Sequence, residues 1–297
     1  MRTNPNVPPP SGYADQTVTK APNWHTLVVF DVLLNNLSTG LFLVAAVAEL
    51  IAPATFTAVA TWAYPIALAL LLADLACLVL DLGDPLRFHH MLRVFKPSSP
   101  MSLGTWRLTV YSLFLTVIVA VLVVVAVGWL RDDSAAAWWV RTLAVLAALP
   151  FAFGSAAYKG VLFSTSAQPG WKDARWLGAY LVNSAVMLGA GVLLVIAALT
   201  DQTTAGATLR SALGLLIVLN LLPLGLLVAD AHPRLSRLYS RRELGVVGFL
   251  VLLIGVVIPA SSLLAGGSAA VLVAVLSLVI ASLGIRFAIV RLPHTAT

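Results

Sequence analysis

Charge is what this chain has least of. Only 10% of its 297 residues are Asp, Glu, Lys or Arg, where a soluble domain carries about a quarter. With 60% hydrophobic residues and a mean hydropathy of +0.96, the composition excludes an ordinary soluble domain. Cysteine is nearly absent too. Cys77 is the single thiol, so an internal disulfide is excluded, and an iron–sulfur cluster, which usually takes four thiolates, has no ligand set. The histidines are His25, His89, His90, His232 and His294, and none lies in the middle of an apolar run. A haem inside a helical bundle wants axial side chains projecting into the core. The expectation is therefore no metal and no haem in this chain. Met1 to Lys20 lacks the apolar core of a secretory signal and is rich in Pro, Asn and Thr. An extended or disordered tail is expected over 1–24, with a short tail at 293–297.

What the chain has is apolar length. A bilayer span needs about 20 mostly apolar residues, and eight stretches qualify: 27–51, 61–82, 106–130, 138–158, 175–199, 209–229, 244–265 and 268–290. Lipid offers backbone groups no partners, so spans this apolar must be helices. The fold class is an all-α integral membrane protein, a bundle of eight transmembrane helices filling one domain over 25–292. An even count puts both ends of that domain on one face. Of the 18 Lys and Arg, all but Arg131, Arg141 and Arg210 fall nearer that face, and the positive-inside rule makes it cytoplasmic. The net charge of +6 is thus a topology signal. It is no argument for a nucleic-acid partner; the solvent of this chain is the lipid bilayer.

Ionisable residues at membrane depth are costly and stand as functional candidates. Asp31 lies about one turn inside the first span, and Asn35 and Ser38 follow at i+4 and i+7 on the same helix face. Asp74 comes about two turns before the second span ends. Tyr158 and Lys159 end the fourth span. Asn183 and Ser184 lie about two turns inside the fifth, and Asn220 is near the middle of the sixth. All belong to the half nearer the charged face, which predicts one polar pocket opening there and a mostly dry far half, with Glu49 a solvated helix end. Each has a structural alternative: Asp31 and Asp74 as paired hydrogen-bonders, Asn183 and Asn220 as interhelical contacts, Tyr158 as an interfacial aromatic. Gly40, Gly189 and Gly191 read as sites of close helix packing.

The longest polar connection is Val79 to Trp106, VLDLGDPLRFHHMLRVFKPSSPMSLGTW. Its charges and its punctuation by Pro85, Pro97, Pro100, Gly83 and Gly104 predict a shaped loop with a short surface helix from Leu86 to Phe95. A basic loop at the lipid headgroups is the plain alternative.

Three segments together resemble the NrfD family, which includes the polysulfide reductase membrane subunit. DLGDPLRFHHML followed by SPMSLGTW is similar to that family's loop signature and helix entry. Tyr158 to Gly191, YKGVLFSTSAQPGWKDARWLGAYLVNSAVMLGAG, resembles its second pattern. Gly245 to Arg286, closing on LGIRF, is similar to its last helices. The resemblance covers all eight spans in order. It implies a cofactor-free, quinone-interacting membrane subunit of a respiratory oxidoreductase in a prokaryotic cytoplasmic (inner) membrane. The quinone would be menaquinone or ubiquinone, bound as a substrate. An iron–sulfur subunit would dock on the loop-rich face, with a catalytic subunit, often a molybdopterin enzyme, beyond it.

Residue by residue, the resemblance carries quinone contacts onto Asp31 and Asn35 in the first helix and onto Tyr158, with Asp74 and Asn183 completing the pocket. Asp31 and Tyr158 become the candidate catalytic groups. His25, at the mouth of the first helix, joins them as a proton carrier, because imidazole titrates near neutrality. Asp84, Arg87, His89, His90, Arg93 and Lys96 become the docking surface. Many family members carry the iron–sulfur head outside, whereas the charge count here puts the loop face inside. Two other functions compete on the residues alone: a secondary transporter, which would bind nearer the midplane between broken helices, and a purely structural anchor.

Overall fold

A backbone in lipid satisfies its own polar groups, and in a computed structural model the chain does so almost wholly as helix. The structure describes residues 26–131, 134–166, 168 and 170–292. His25 and the two tails lie outside the described residues. Nine α-helices occur among those residues: α1 Thr26–Ile51, α2 Pro53–Leu80, α3 Pro100–Ala126, α4 Ala135–Ser164, α5 Leu177–Leu199, α6 Thr203–Leu238, α7 Arg241–Leu252, α8 Ile258–Ala265 and α9 Ser268–Arg291. A π-helical turn, Leu253–Val257, joins α7 to α8, so that Arg241–Ala265 forms one crossing. Eight segments are then long and apolar enough to span a bilayer, and the all-α membrane bundle stands. Pro259 gives the π turn a cause. It withdraws the N–H that the Gly255 carbonyl would use in an α-helix, and the turn before it widens.

Several boundaries differ from the sequence expectation. α2 begins at Pro53 rather than 61, α4 runs on to Ser164, and α6 continues to Leu238 through most of the stretch read as a loop over 230–243. Apolar counting locates where lipid ends, not where a helix ends. Residues such as Asp230, His232 and Arg234 end the apolar run without ending the helix. The extension of α4 matters most. It sets Tyr158 and Lys159 about 8–9 Å below the helix end instead of at it.

α1 and α5 form the centre. In their most apolar windows, 78% and 67% of residues are buried, against 6% for the Arg241–Ala265 crossing at the periphery. Glycine permits the central contact. A side chain on Gly40 would collide with the Ala185 backbone carbonyl, and one on Gly189 with the backbone of Gly40. Gly191 faces Val275 of α9 instead. Below this crossing, Phe42, Tyr64, Leu71, Tyr111 and Leu115 fill the core among α1, α2 and α3.

The far half holds a buried polar cluster around Glu49. Glu49, expected as a solvated helix end, is 7% exposed. It accepts hydrogen bonds from the Tyr64 hydroxyl at 2.6 Å and from Arg141 Nη2 at 2.8 Å. The single Ala52 between α1 and α2 keeps Glu49 in the packed interior, and burial then demands partners. Position near a helix end was the wrong guide.

On the opposite face, the long loop contains the expected short helix in the tighter 3-10 form, Pro85–Leu92. The SPMSLGTW residues fold this loop back. Ser99 caps α3 by accepting from the Ser102 N–H, the Ser102 hydroxyl and Trp106 Nε1 both donate to the Val94 carbonyl, and Phe95 meets Trp106 edge to face.

Candidate functional site

The i, i+4 spacing of Asp31 and Asn35 on α1 turns both toward α2 and α4. There they meet Asp74, Ser155 and Lys159. Lys159 Nζ donates to Asp31 Oδ1 at 2.6 Å, to the Asp31 carbonyl at 3.0 Å and to Asp74 Oδ1 at 3.1 Å. Asn35 Nδ2 donates to Asp74 Oδ2 and to Ser155 Oγ, each at 3.1 Å. Three helices thus converge on one ammonium held between two carboxylates, all 4% exposed or less. Asn35 Oδ1 has no hydrogen-bond partner. It is a buried acceptor at the heart of the cluster, and such groups normally find a protein, water or ligand donor.

Tyr158, next to Lys159, is buried at 7% exposure. Its ring lies against Gly104, where any side chain would strike it. This contact links two separate motifs: the glycine of SPMSLGTW is the space that the tyrosine of YKG occupies. One turn earlier on α4, Gly154 gives the same room to the side chain of Arg107. The loop after α4 is pinned by Trp171, whose Nε1 donates to the Ile289 carbonyl of α9 at 2.7 Å while its ring stacks on Phe163.

Of the residues singled out from sequence, the structure brings Asp31, Asn35, Asp74 and Tyr158 together. Asn183 goes elsewhere: its amide donates to Asn220 Oδ1 of α6 at 3.1 Å. Ser38 lies one turn below the cluster, donating to the Ala67 carbonyl and pairing with the Tyr111 hydroxyl. Asp84, Arg87, His89, His90, Arg93 and Lys96 are exposed on the loop face, with Arg87 paired to Asp84 at 2.9 Å. Lys159, Ser155 and Arg286 were not foreseen as site residues. The sequence placed Lys159 at the end of a span, and only the extension of α4 to Ser164 puts it inside a membrane helix, where a lysine needs an acid partner. Arg286, from the LGIRF motif, is 1% exposed and bonds to Ser282 and Ser184.

Compared with known protein families, residues 16–292 match the model described as polysulphide reductase, NrfD. The chain belongs to the NrfD family. A comparison with curated proteins gives no match. NrfD proteins are membrane subunits of respiratory oxidoreductase complexes, and the family's sequence marks acquire physical roles here. In this NrfD chain the loop signature shapes the exposed face, its glycine seats Tyr158, and the YKG element supplies both the aromatic and the cation of the buried cluster.

The side chains suit a carbonyl-bearing redox substrate in their chemistry. Tyr158 and Lys159 are donors, Asp31 and Asp74 can carry protons, and Asn35 holds an unused acceptor. No group of three or more His, Cys, Asp or Glu among the described residues is placed to hold a metal ion.

Proposed function

We propose that this chain is the quinone-reactive membrane subunit of a respiratory oxidoreductase in a prokaryotic cytoplasmic membrane. It exchanges electrons between a docked iron–sulfur subunit and the quinone pool. The observation that carries the reading is the Asp31–Lys159–Asp74 cluster beside Tyr158, close under the elaborated face. Quinone turnover moves two electrons and two protons, and the protons need groups that give and take them in place. Two carboxyls around one ammonium are electrically balanced when they carry one exchangeable proton; a second negative charge without a cation would be costly this deep. Asp31, next to Tyr158 through Lys159, is the group we assign to that exchange. Asn35, which also donates to Ser155, holds Asp74 in place, and Tyr158 is assigned to hydrogen-bond the substrate oxygen.

Electrons arrive from outside the chain, so a partner must come close to this pocket. The exposed loop with Arg87, Arg93, Lys96, His89 and His90 is assigned to that partner, with the catalytic subunit beyond it.

The test uses the native complex carrying Asp31→Asn or Tyr158→Phe. Quinone-linked turnover should fall at least tenfold, in line with the roughly 10²–10⁴-fold contribution of positioned acid–base groups. Turnover with a soluble dye, which bypasses this subunit, should persist. Unchanged quinone-linked turnover in both variants rejects the assignment.

A further inference from the structure

Five charged side chains are buried among the described residues: Asp31, Glu49, Asp74, Lys159 and Arg286. Four of them have an opposite charge within ion-pair distance. Glu49 meets Arg141, and Lys159 meets both Asp31 and Asp74. Arg286 of α9 meets no carboxylate of the described residues. It donates to the carbonyl and hydroxyl of Ser282 and to the Ser184 hydroxyl, with the Tyr180 hydroxyl beside it. These partners are neutral, and Arg286 Nε has no hydrogen-bond partner at all. A guanidinium 1% exposed in a membrane helix calls for a counter-charge.

The space around it leaves no room for a bound anion. The void lined by Arg286, Val32, Leu181 and Ile289 is too small for a water molecule. The neighbouring cleft lined by Ser282, Tyr180 and Asn220 has about 20 Å³, room for one uncharged water. The counter-charge therefore belongs to the protein.

The buried charges then balance in one way. Glu49 and Arg141 cancel in the far half. Asp31, Asp74 and Lys159 leave one negative charge when both carboxyls are ionised, and Arg286 restores neutrality. The two sites are neighbours across α1. Asp31 faces α2 and α4, whereas Val32, about 100° further round the helix, borders the same void as Arg286, Leu181 of α5 and Ile289 of α9. Guanidinium and cluster are thus roughly 10 Å apart, the spacing of packed helices. Over that distance, with an effective dielectric constant of about 20, a unit charge moves a titration by about one pH unit. The other ionisable groups around them are Cys77 on α2, Arg107 and Tyr111 on α3, Tyr158 on α4 and Tyr180 on α5. Of these only Arg107 is a cation, and it is half-buried, so its charge is better screened. Asp81, Asp230, Arg234 and Arg291 lie further toward the loop face on their helices.

We propose that Arg286 is the remote counter-charge of the Asp31–Lys159–Asp74 cluster, a positioning residue that lets the cluster release its proton. It touches no substrate and acts through the carboxyls. Without it, the deprotonated cluster would hold a lone negative charge at membrane depth, and the proton would stay. The role in turnover rests on the proton exchange assigned above; the coupling between Arg286 and the carboxyls does not.

The experiment follows the C=O stretch of protonated carboxyls by infrared difference spectroscopy of the native complex during a pH titration. The cluster band is the one removed by Asp31→Asn or Asp74→Asn. Arg286→Gln, which keeps a hydrogen-bonding side chain, and Arg286→Met, which keeps only bulk, should each carry that band to a pH about one unit higher. Arg286→Lys should titrate close to the parent. The pH profile of quinone-linked turnover should move in the same direction in the two neutral variants. Neither of them breaks an ion pair, and a thermal melt identifies whichever fails to fold. A band that titrates alike in the parent and the neutral variants overturns the inference and leaves the proposed function standing. A shift in Arg286→Lys as large as in Arg286→Gln makes the effect one of packing and also overturns it. Absence of a cluster band at every pH, in parent and variants alike, does the same. A band that shifts while the turnover profile stays fixed keeps the coupling and rejects the proton-exchange role given to Asp31.

Discussion

Lys159 neutralises Asp31 and bonds to Asp74 from the same nitrogen, 2.6 and 3.1 Å away. Removing one member of a buried ion pair costs about 3–5 kcal/mol, whereas replacing all members with uncharged groups is often neutral. Lys159→Met should therefore lower the thermal stability of the detergent-purified subunit by roughly that amount. Combining it with Asp31→Asn and Asp74→Asn should recover most of the loss. Quinone-linked turnover should stay low in the triple variant, because stability returns without the exchangeable proton. Melting curves and turnover assays on the two variants separate these effects. The acids of this cluster were legible in the sequence, since i, i+4 spacing on α1 and position along α2 both point inward. Lysine was not. A lysine at a predicted helix end ordinarily reaches for the headgroups, and only the further turn and a half of α4 shows that it turns inward.

Helix lengths and contacts decide which of those side chains meet. The α1–α5 crossing depends on Gly40 and Gly189, where a Cβ would overlap the facing backbone. Backbone cannot rotate aside as a side chain can, so Gly189→Leu must separate the two central helices. We expect a loss at or above the upper end of the usual 1–3 kcal/mol for overpacking, read as a lower melting temperature. Gly206→Leu, where nothing lies within 4 Å of an added Cβ, should melt as the parent does. The far-half cluster behaves differently. Arg141→Met leaves Glu49 buried with only the Tyr64 hydroxyl, and it should destabilise more than Arg141→Met combined with Glu49→Gln, a comparison open to the same melts. Periodicity and small residues made the helices and their close packing readable. The Glu49 contact was not readable, because a sequence shows how near a residue is to the end of an apolar run but not what the next helix brings beside it.

At the scale of the whole molecule, the face carrying the long loop also carries nearly all the positive charge, and both bear on what docks there. Eight crossings return Arg291 to the face of Thr26, so one sidedness experiment orients every loop. Ser98 is exposed beside the 3-10 segment, and Cys77, the native thiol, belongs to a membrane helix. A Ser98→Cys, Cys77→Ser variant can therefore be probed with a membrane-impermeant maleimide. The positive-inside rule predicts protection in intact spheroplasts and labelling in inverted vesicles. Labelling of spheroplasts would place the loop, and the partner it receives, outside; the basic residues would then serve docking in spite of topology. Ionic strength tells the two roles of that charge apart. Exposed charges are screened beyond about 10 Å at 0.1 M salt and about 3 Å at 1 M, so a partner held by Arg87, Arg93 and Lys96 should dissociate as salt rises. Charge reversal at Arg93 and Lys96 should move the dissociation midpoint to lower salt, by size-exclusion chromatography of the complex, while leaving the maleimide pattern unchanged. A partner held mainly by Leu86, Val94 and Phe95, also exposed on this loop, would stay bound through the same titration.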